Sequence, residues 1–260
     1  MMNTTSDIPI VVKDLNVGYG DNVILRQINF QVRRGEVFMI LGASGSGKST
    51  LLKAMIGLCP PQTGQVWIEG GNLVTAEGKE RLGLLRKFGV MYQSGALFGS
   101  MTVLENVRLP LDEFTDLPDP LKDLDALARL RLVGLGAAAD KMPSELSGGM
   151  QKRAAIARAM ALDPKILFLD EPCAGLDPVT SAGIDLLIKD LAHHFGFTFV
   201  VVTHELASIY SIADRVVLLS TLTKGIIVEG KPDDLRNAAL PPVHRFFNRE
   251  PDLGLSMQLT

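Results

Sequence analysis

The chain has 260 residues, 47% of them hydrophobic and 21% charged, which suits one large α/β domain or two small ones and excludes disorder for the bulk of the chain. Lys plus Arg number 26 against 29 Asp plus Glu, a net charge of −3. That balance lacks the basic excess of a nucleic-acid binder, so no nucleic-acid partner is expected.

The opening MMNTTSDIPIVV has neither a positive n-region nor a long apolar h-region, so no secretory signal is expected. Between residues 10 and 41 the period is two: Ile28, Phe30 and Val32 alternate with Asn29, Gln31 and Arg33, and 35–41 is a buried-strand run. After Gly47, Leu51, Leu52, Met55 and Ile56 recur at helical spacing, and Pro60 and Pro61 end the run. A short strand over 64–70 precedes a polar stretch at 72–86. From 95 to 149 the pattern predicts a helical insertion with Leu121, Leu124, Leu127, Leu130 and Leu132 as its apolar positions. Residues 149–161 read as a long helix, 165–172 as a strand, 179–195 as a helix and 197–205 as a strand. A final hairpin is expected at 216–220 and 225–230. Beyond Pro241 and Pro242 a tail is expected, with Phe246 and Phe247 exposed on it. Parallel strands separated by helices imply a doubly wound α/β core.

Cys59 and Cys173 show neither metal-ligand spacing nor the density of a disulfide scaffold, which fits a reducing cytosol. No apolar run approaches the roughly 20 residues that cross a bilayer, so a membrane role would run through a partner.

GASGSGKS, residues 42–49, fits the phosphate-loop pattern, with a strand before it and a helix after it. Gly42, Ala43, Ser44, Gly45, Ser46, Gly47 and Thr50 complete a phosphate-binding loop around Lys48 and Ser49. Glycines let backbone N–H groups converge on phosphate oxygens, and the helix N-terminus adds its positive dipole end. Lys48 supplies a charge for the β and γ phosphates, and Ser49 is the expected Mg²⁺ ligand. ILFLDE, residues 166–171, is an apolar strand ending in two carboxylates: Asp170 to hold Mg²⁺ through water, and Glu171 to orient the attacking water as general base. A nucleotidase or kinase of another kind stays open at this point, since no guanine-reading NKxD occurs.

LSGGMQKR, residues 146–153, directly precedes the long helix, so Ser147, Gly148 and Gly149 form a second anion-binding helix end. With Gln93, with Asp177 seven residues after Asp170, and with His204 at a strand end, the set resembles the ATP-binding cassette (ABC) ATPase family over nearly the whole chain. The resemblance implies a P-loop ATPase with a mixed β-sheet core, an antiparallel β subdomain and a helical insertion. Within one domain spanning 1–260, residues 10–92 and 150–240 would form a RecA-like core with its β subdomain, 93–149 a helical subdomain, and 241–260 a C-terminal tail. It implies a homodimer with two ATP molecules between the subunits. The 42–50 loop of one subunit and Leu146, Ser147, Gly148, Gly149 and Asp177 of the other would hold each nucleotide. Tyr19 would stack on adenine, Gln93 would touch Mg²⁺ and sense the transporter, and His204 would contact the γ-phosphate. Ala174 or Gly175 stands where family members more often carry Ser.

YQSGALFGSMTVLENV, residues 92–107, and MPSELSGGMQKRAAIARA, residues 142–159, more narrowly resemble the ATPase subunit of Mla-type phospholipid transporters. Those systems pair an integral membrane permease with an MCE-domain lipid-binding protein in Gram-negative envelopes. The resemblance implies a peripheral subunit on the cytoplasmic face of the inner membrane, held through the permease, with Leu97 and Phe98 as coupling residues. A small STAS-domain protein docking on the helical insertion is a further implied partner. Another cargo is the alternative: amino acids, metals or an exported compound. A soluble repair or translation ATPase fits less well, since the chain has one cassette and a short insertion.

Overall fold

The computed structural model describes residues 7–250. Its elements run β1 (Ile10–Tyr19), β2 (Asn22–Val32), β3 (Val37–Gly42), α1 (Lys48–Met55), β4 (Thr63–Ile68), β5 (Gly71–Asn72), α2 (Gly78–Leu85), β6 (Phe88–Met91), α3 (Val103–Phe114) and α4 (Asp119–Leu132). There follow α5 (Gly148–Ala159), β7 (Ile166–Asp170), α6 (Pro178–Phe195), β8 (Thr198–Val202), α7 (Leu206–Ile212), β9 (Arg215–Ser220), β10 (Gly225–Gly230), α8 (Pro232–Arg236) and α9 (Pro241–Asn248). An antiparallel sheet has the order β2-β1-β4-β5. The larger sheet, β10-β9-β3-β8-β7-β6, is parallel except for β10, which returns from β9 as the expected hairpin. This is the α/β fold anticipated, with mixed and antiparallel sheets.

Alternation along the parallel strands divides the interior in two. Met39, Leu41, Leu167, Leu169, Phe199, Val201, Val216 and Leu218 face the side that packs α5 and α6. Phe38, Ile40, Phe168, Val200, Val202, Val217 and Leu219 face α1 and the antiparallel sheet. Asp170 continues the even-numbered set of β7 and therefore emerges on the α1 side.

The structure corrects three expectations. In α4 the buried positions are Lys122, Ala126 and Leu130, while Leu121 and Leu124 are 50% and 60% exposed. Lys122 takes an inward place because its ammonium meets Asp112 at 3.1 Å and Asp119 at 3.8 Å. The polar stretch at 72–86 contains α2, secured by Arg81, which donates to Leu73 O at 2.8 Å and Gly57 O at 2.7 Å. The segment from Pro241 begins as α9. Two prolines suit a first turn, where N–H groups have no helical partner, so here they start a helix. Phe247, expected to be exposed, is buried beside Val243, Phe246 is half-buried against the same core, and the Tyr210 hydroxyl donates to Phe247 O at 3.0 Å. The remainder of the expected tail lies outside the described residues.

Candidate nucleotide site

β3 ends at Gly42, and α1 starts at Lys48 after a turn in which Gly45 and Gly47 have φ of 77° and 95°. A Cβ on Gly47 would sit 2.9 Å from Ile24 Cγ2 and Leu25 Cγ, so this turn needs glycine for both space and conformation. The loop borders a cavity of about 650 Å³, lined by Gly42 through Thr50 and by Ile24, Gln93, Glu171, His204 and Phe246. Lys48 Nζ donates to Gly42 O at 2.8 Å and Ala43 O at 3.2 Å. Burial lowers its pKa, opposed by the charges of Glu171 and Asp170. Ser46 Oγ is buried and has no protein partner.

Ser49 Oγ donates to Asp170 Oδ1 at 3.4 Å. Burial raises the Asp170 pKa, and the neighbouring Glu171 adds to the rise. The chain leaves β7 through Glu171, whose φ of 48° is unusual for a residue with a side chain, while its N–H donates to Val202 O at 2.9 Å. Glu171 Oε1 lies 2.8 Å from His204 Nδ1. A carboxylate only accepts, so the hydrogen of this contact belongs to Nδ1. Oε2 is buried without a protein partner. The Ser49 hydroxyl, the Asp170 carboxylate and the Gln93 amide are hard oxygen donors of the kind Mg²⁺ takes, and their small number suits an ion that draws its other ligands from phosphate and water. Among the described residues no cluster of three or more His, Cys, Asp or Glu could hold a metal on its own.

Other anticipated site residues lie apart from this cavity. Tyr19 is 56% exposed at the end of β1 and does not line it. Ser147 caps α5, accepting from Met150 N at 3.3 Å, and it and Gly148 are exposed, whereas Leu146 and Gly149 are buried. Gly149 has a packing role, since a Cβ there would meet Thr180 Cγ2 at 2.3 Å. Asp177 caps α6, accepting from Val179 N and Thr180 N at 3.0 Å and from Thr180 Oγ1 at 2.5 Å; these Thr180 bonds lower its pKa. Cys173 is buried, and burial with nearby Asp185 pushes its thiol up to about 12, so it is a packing residue.

A second concavity of about 440 Å³ is lined by Phe98, Tyr92, Ala96, Pro110, Phe114 and Arg158, among others. Leu97, paired with Phe98 in the sequence reading, instead packs against the α5-side core. Sequence reasoning missed what holds this segment. Fully buried Asn106 accepts from Phe98 N at 2.7 Å and donates to Phe98 O, Met101 O and Thr102 O. Lys152 and Arg158 reach it from α5. Only Asn106 left a trace, as an amide on the otherwise apolar face of α3 shared by Val103, Val107 and Leu111.

The family model for ABC transporters matches residues 25–174. The chain is 39% identical to the intermembrane phospholipid transport system ATP-binding protein MlaF of Haemophilus influenzae, over 94% of this chain and 91% of that one. The chain belongs to the ABC transporter family. This ABC ATPase is also 38% identical to the probable ribonucleotide transport ATP-binding protein mkl of Mycobacterium leprae, over 93% of its length and 69% of that protein. A dimeric ATP-binding cassette in a post-hydrolysis state, bound to ADP and Pi, matches it with a TM-score of 0.76 and 33% identity, over 85% of this chain and 98% of that one. The motif-based resemblance is borne out. Among the described residues no helix of the ABC ATPase is long and apolar enough to cross a membrane.

Proposed function

We propose that this ABC ATPase is the ATP-hydrolysing subunit of a phospholipid transporter, working between the inner and outer membranes of a Gram-negative envelope. The observation that carries the reading is a P-loop cavity containing Lys48, Glu171 and His204, in a chain that matches a phospholipid transport ATPase along almost its full length. Lys48 and the N–H groups opening α1 bind the β and γ phosphates, with Lys48 exchanging its carbonyl partners for phosphate oxygens. Ser49, Asp170 and Gln93 would hold Mg²⁺, which would supply charge neutralisation for the phosphates. Glu171 accepts the proton of the attacking water at Oε2, the oxygen left without a partner, while His204 holds Oε1. His204 also borders the cavity, where it contacts the γ-phosphate, and Tyr19 stacks on the base.

In this reading a second copy completes the site. Ser147, Gly148 and the backbone around Leu146 and Gly149 meet the partner's ATP, with Asp177 at the crossing loop. The 440 Å³ groove takes a cytosolic helix of an integral membrane permease, with Phe98 as the coupling contact, which seats the protein peripherally at the cytoplasmic face of the inner membrane. An MCE-domain lipid-binding protein completes the transporter, and a STAS-domain protein on the helical region is a further partner. The likeness to a protein named for ribonucleotide transport supports a second reading, the same engine with another cargo.

The test is to purify the native complex and identify its proteins and bound lipid by mass spectrometry. A permease, an MCE protein and phospholipid are expected. A periplasmic amino-acid or metal receptor in their place would reject the lipid cargo and leave the ATPase reading intact. Phe98→Asp should uncouple transport from hydrolysis, with the isolated subunit still folded and binding nucleotide. Loss of folding would make Phe98 a core residue and reject its coupling role.

A further inference from the structure

Helix α5 presents two basic side chains to the segment that follows β6. Lys152 is 8% exposed, and its ammonium donates to the main-chain carbonyl of Gln93. Arg158 donates from Nη1 to Ala96 O and from Nη2 to Gly95 O, each at 2.8 Å. Gly95 and Ala96 have φ of 73° and 50°, so the chain bends sharply where Arg158 holds it. Residues 93–98 form no helix or strand, and their shape depends on these tertiary bonds. A carbonyl bonded to a buried cation is held more firmly than one bonded to a neutral donor.

The first of these bonds falls on a residue assigned to the nucleotide cavity. Gln93 borders the cavity with its side chain exposed, while its carbonyl is fastened to the helix that begins at Ser147. Loop and helix are therefore joined at a residue that borders the cavity.

We propose that Lys152 is a positioning residue for ATP hydrolysis. By fixing the Gln93 carbonyl to α5, it sets where the Gln93 amide enters the cavity and makes that amide move with the Ser147 end of the same helix. This rests on the reading of Gln93 as a Mg²⁺- and nucleotide-facing group. The ammonium also lies within electrostatic reach of Asp170, Glu171, Glu205 and Cys173, so a direct charge effect on the carboxylates is the competing role.

A double-mutant cycle in the full-length chain separates the two, with steady-state Mg-ATP hydrolysis and nucleotide affinity measured for Lys152→Met, Lys152→Arg, Gln93→Ala and Lys152→Met combined with Gln93→Ala. Lys152→Met should lower kcat by about tenfold, the size of one charge-assisted hydrogen bond, while KM for ATP moves less than about twofold. Lys152→Arg should restore most of the rate. In the Gln93→Ala background, Lys152→Met should cost nothing more. If the tenfold loss persists there, Lys152 acts by charge and the proposal is overturned. An unchanged kcat, or loss of cooperative melting in Lys152→Met, overturns it as well. Wild-type kcat in Gln93→Ala alone would instead refute the role given to Gln93 and take the proposal with it.

Discussion

Two helix ends of this molecule offer backbone N–H groups to an anion, and they are built differently. The N-terminus of α1 opens into a cavity beside Lys48 and Asp170, whose ionisation burial has shifted, and beside Ser46 Oγ and Glu171 Oε2, which are buried without partners. The N-terminus of α5 lies at an exposed surface, and Ser147 satisfies one of its donors within the chain. Unmet polar groups in a concavity mark a place that a ligand completes. The exposed cap of α5 carries no such mark within one chain, and in the function proposed above a second copy completes it.

A mixed dimer in the transporter complex tests whether the two helix ends meet. Homodimers of Lys48→Ala or Ser147→Arg damage both composite sites and should lose ATP hydrolysis to background. A dimer of one Lys48→Ala and one Ser147→Arg chain concentrates both lesions in one site and should keep measurable turnover. Equal inactivity of mixed and pure dimers would count against completion across an interface, with a one-site variant run alongside to detect strict coupling between sites.

Glu171→Gln comes next in size. It should lower kcat by at least about 10²-fold while Mg-ATP binding persists, and ATP-bound dimer should accumulate on size-exclusion chromatography. Turnover near wild type would move the general base elsewhere.

The smallest effect concerns stability. The Asp170 pKa in the folded chain lies above its ordinary 3.8, so the folded state holds this proton more tightly than the unfolded one. Ionisation then costs stability as pH rises through 3.8 toward the folded value, and the cost persists at neutral pH. Asp170→Asn should therefore raise the melting temperature of the nucleotide-free chain at pH 7, with the gain fading below about pH 4. An equal gain at both pH values would show that packing, not charge, sets the effect.

The phosphate loop and the strand that carries its carboxylates can be read straight from the sequence. Strand β7 announces itself as an apolar run stopped by Asp170 and Glu171, and α1 by leucines at helical spacing behind a glycine loop. Both signals are local. Leucine spacing in α4 shows amphipathicity without showing which side meets a partner, and Lys122 goes inward because Asp112 and Asp119 are near in space. Helix α2 has one buried residue, Leu84, and depends on Arg81 bonds to distant carbonyls. Lys152 and Arg158 looked like ordinary helix charges, since the carbonyls they hold are about 60 residues away in sequence.

The alternation along β3 has a consequence for how this molecule tolerates change. Its odd and even residues feed separate cores, and neither face looks on to solvent. A slip of one position would exchange the contents of both cores at once, so the strand is locked against sliding from two sides. The spacing between the loop that follows β3 and the carboxylates at the end of β7 is therefore inherited from packing several residues below the cavity. Chemistry at the rim can be edited one side chain at a time, while the frame that measures its distances stays still.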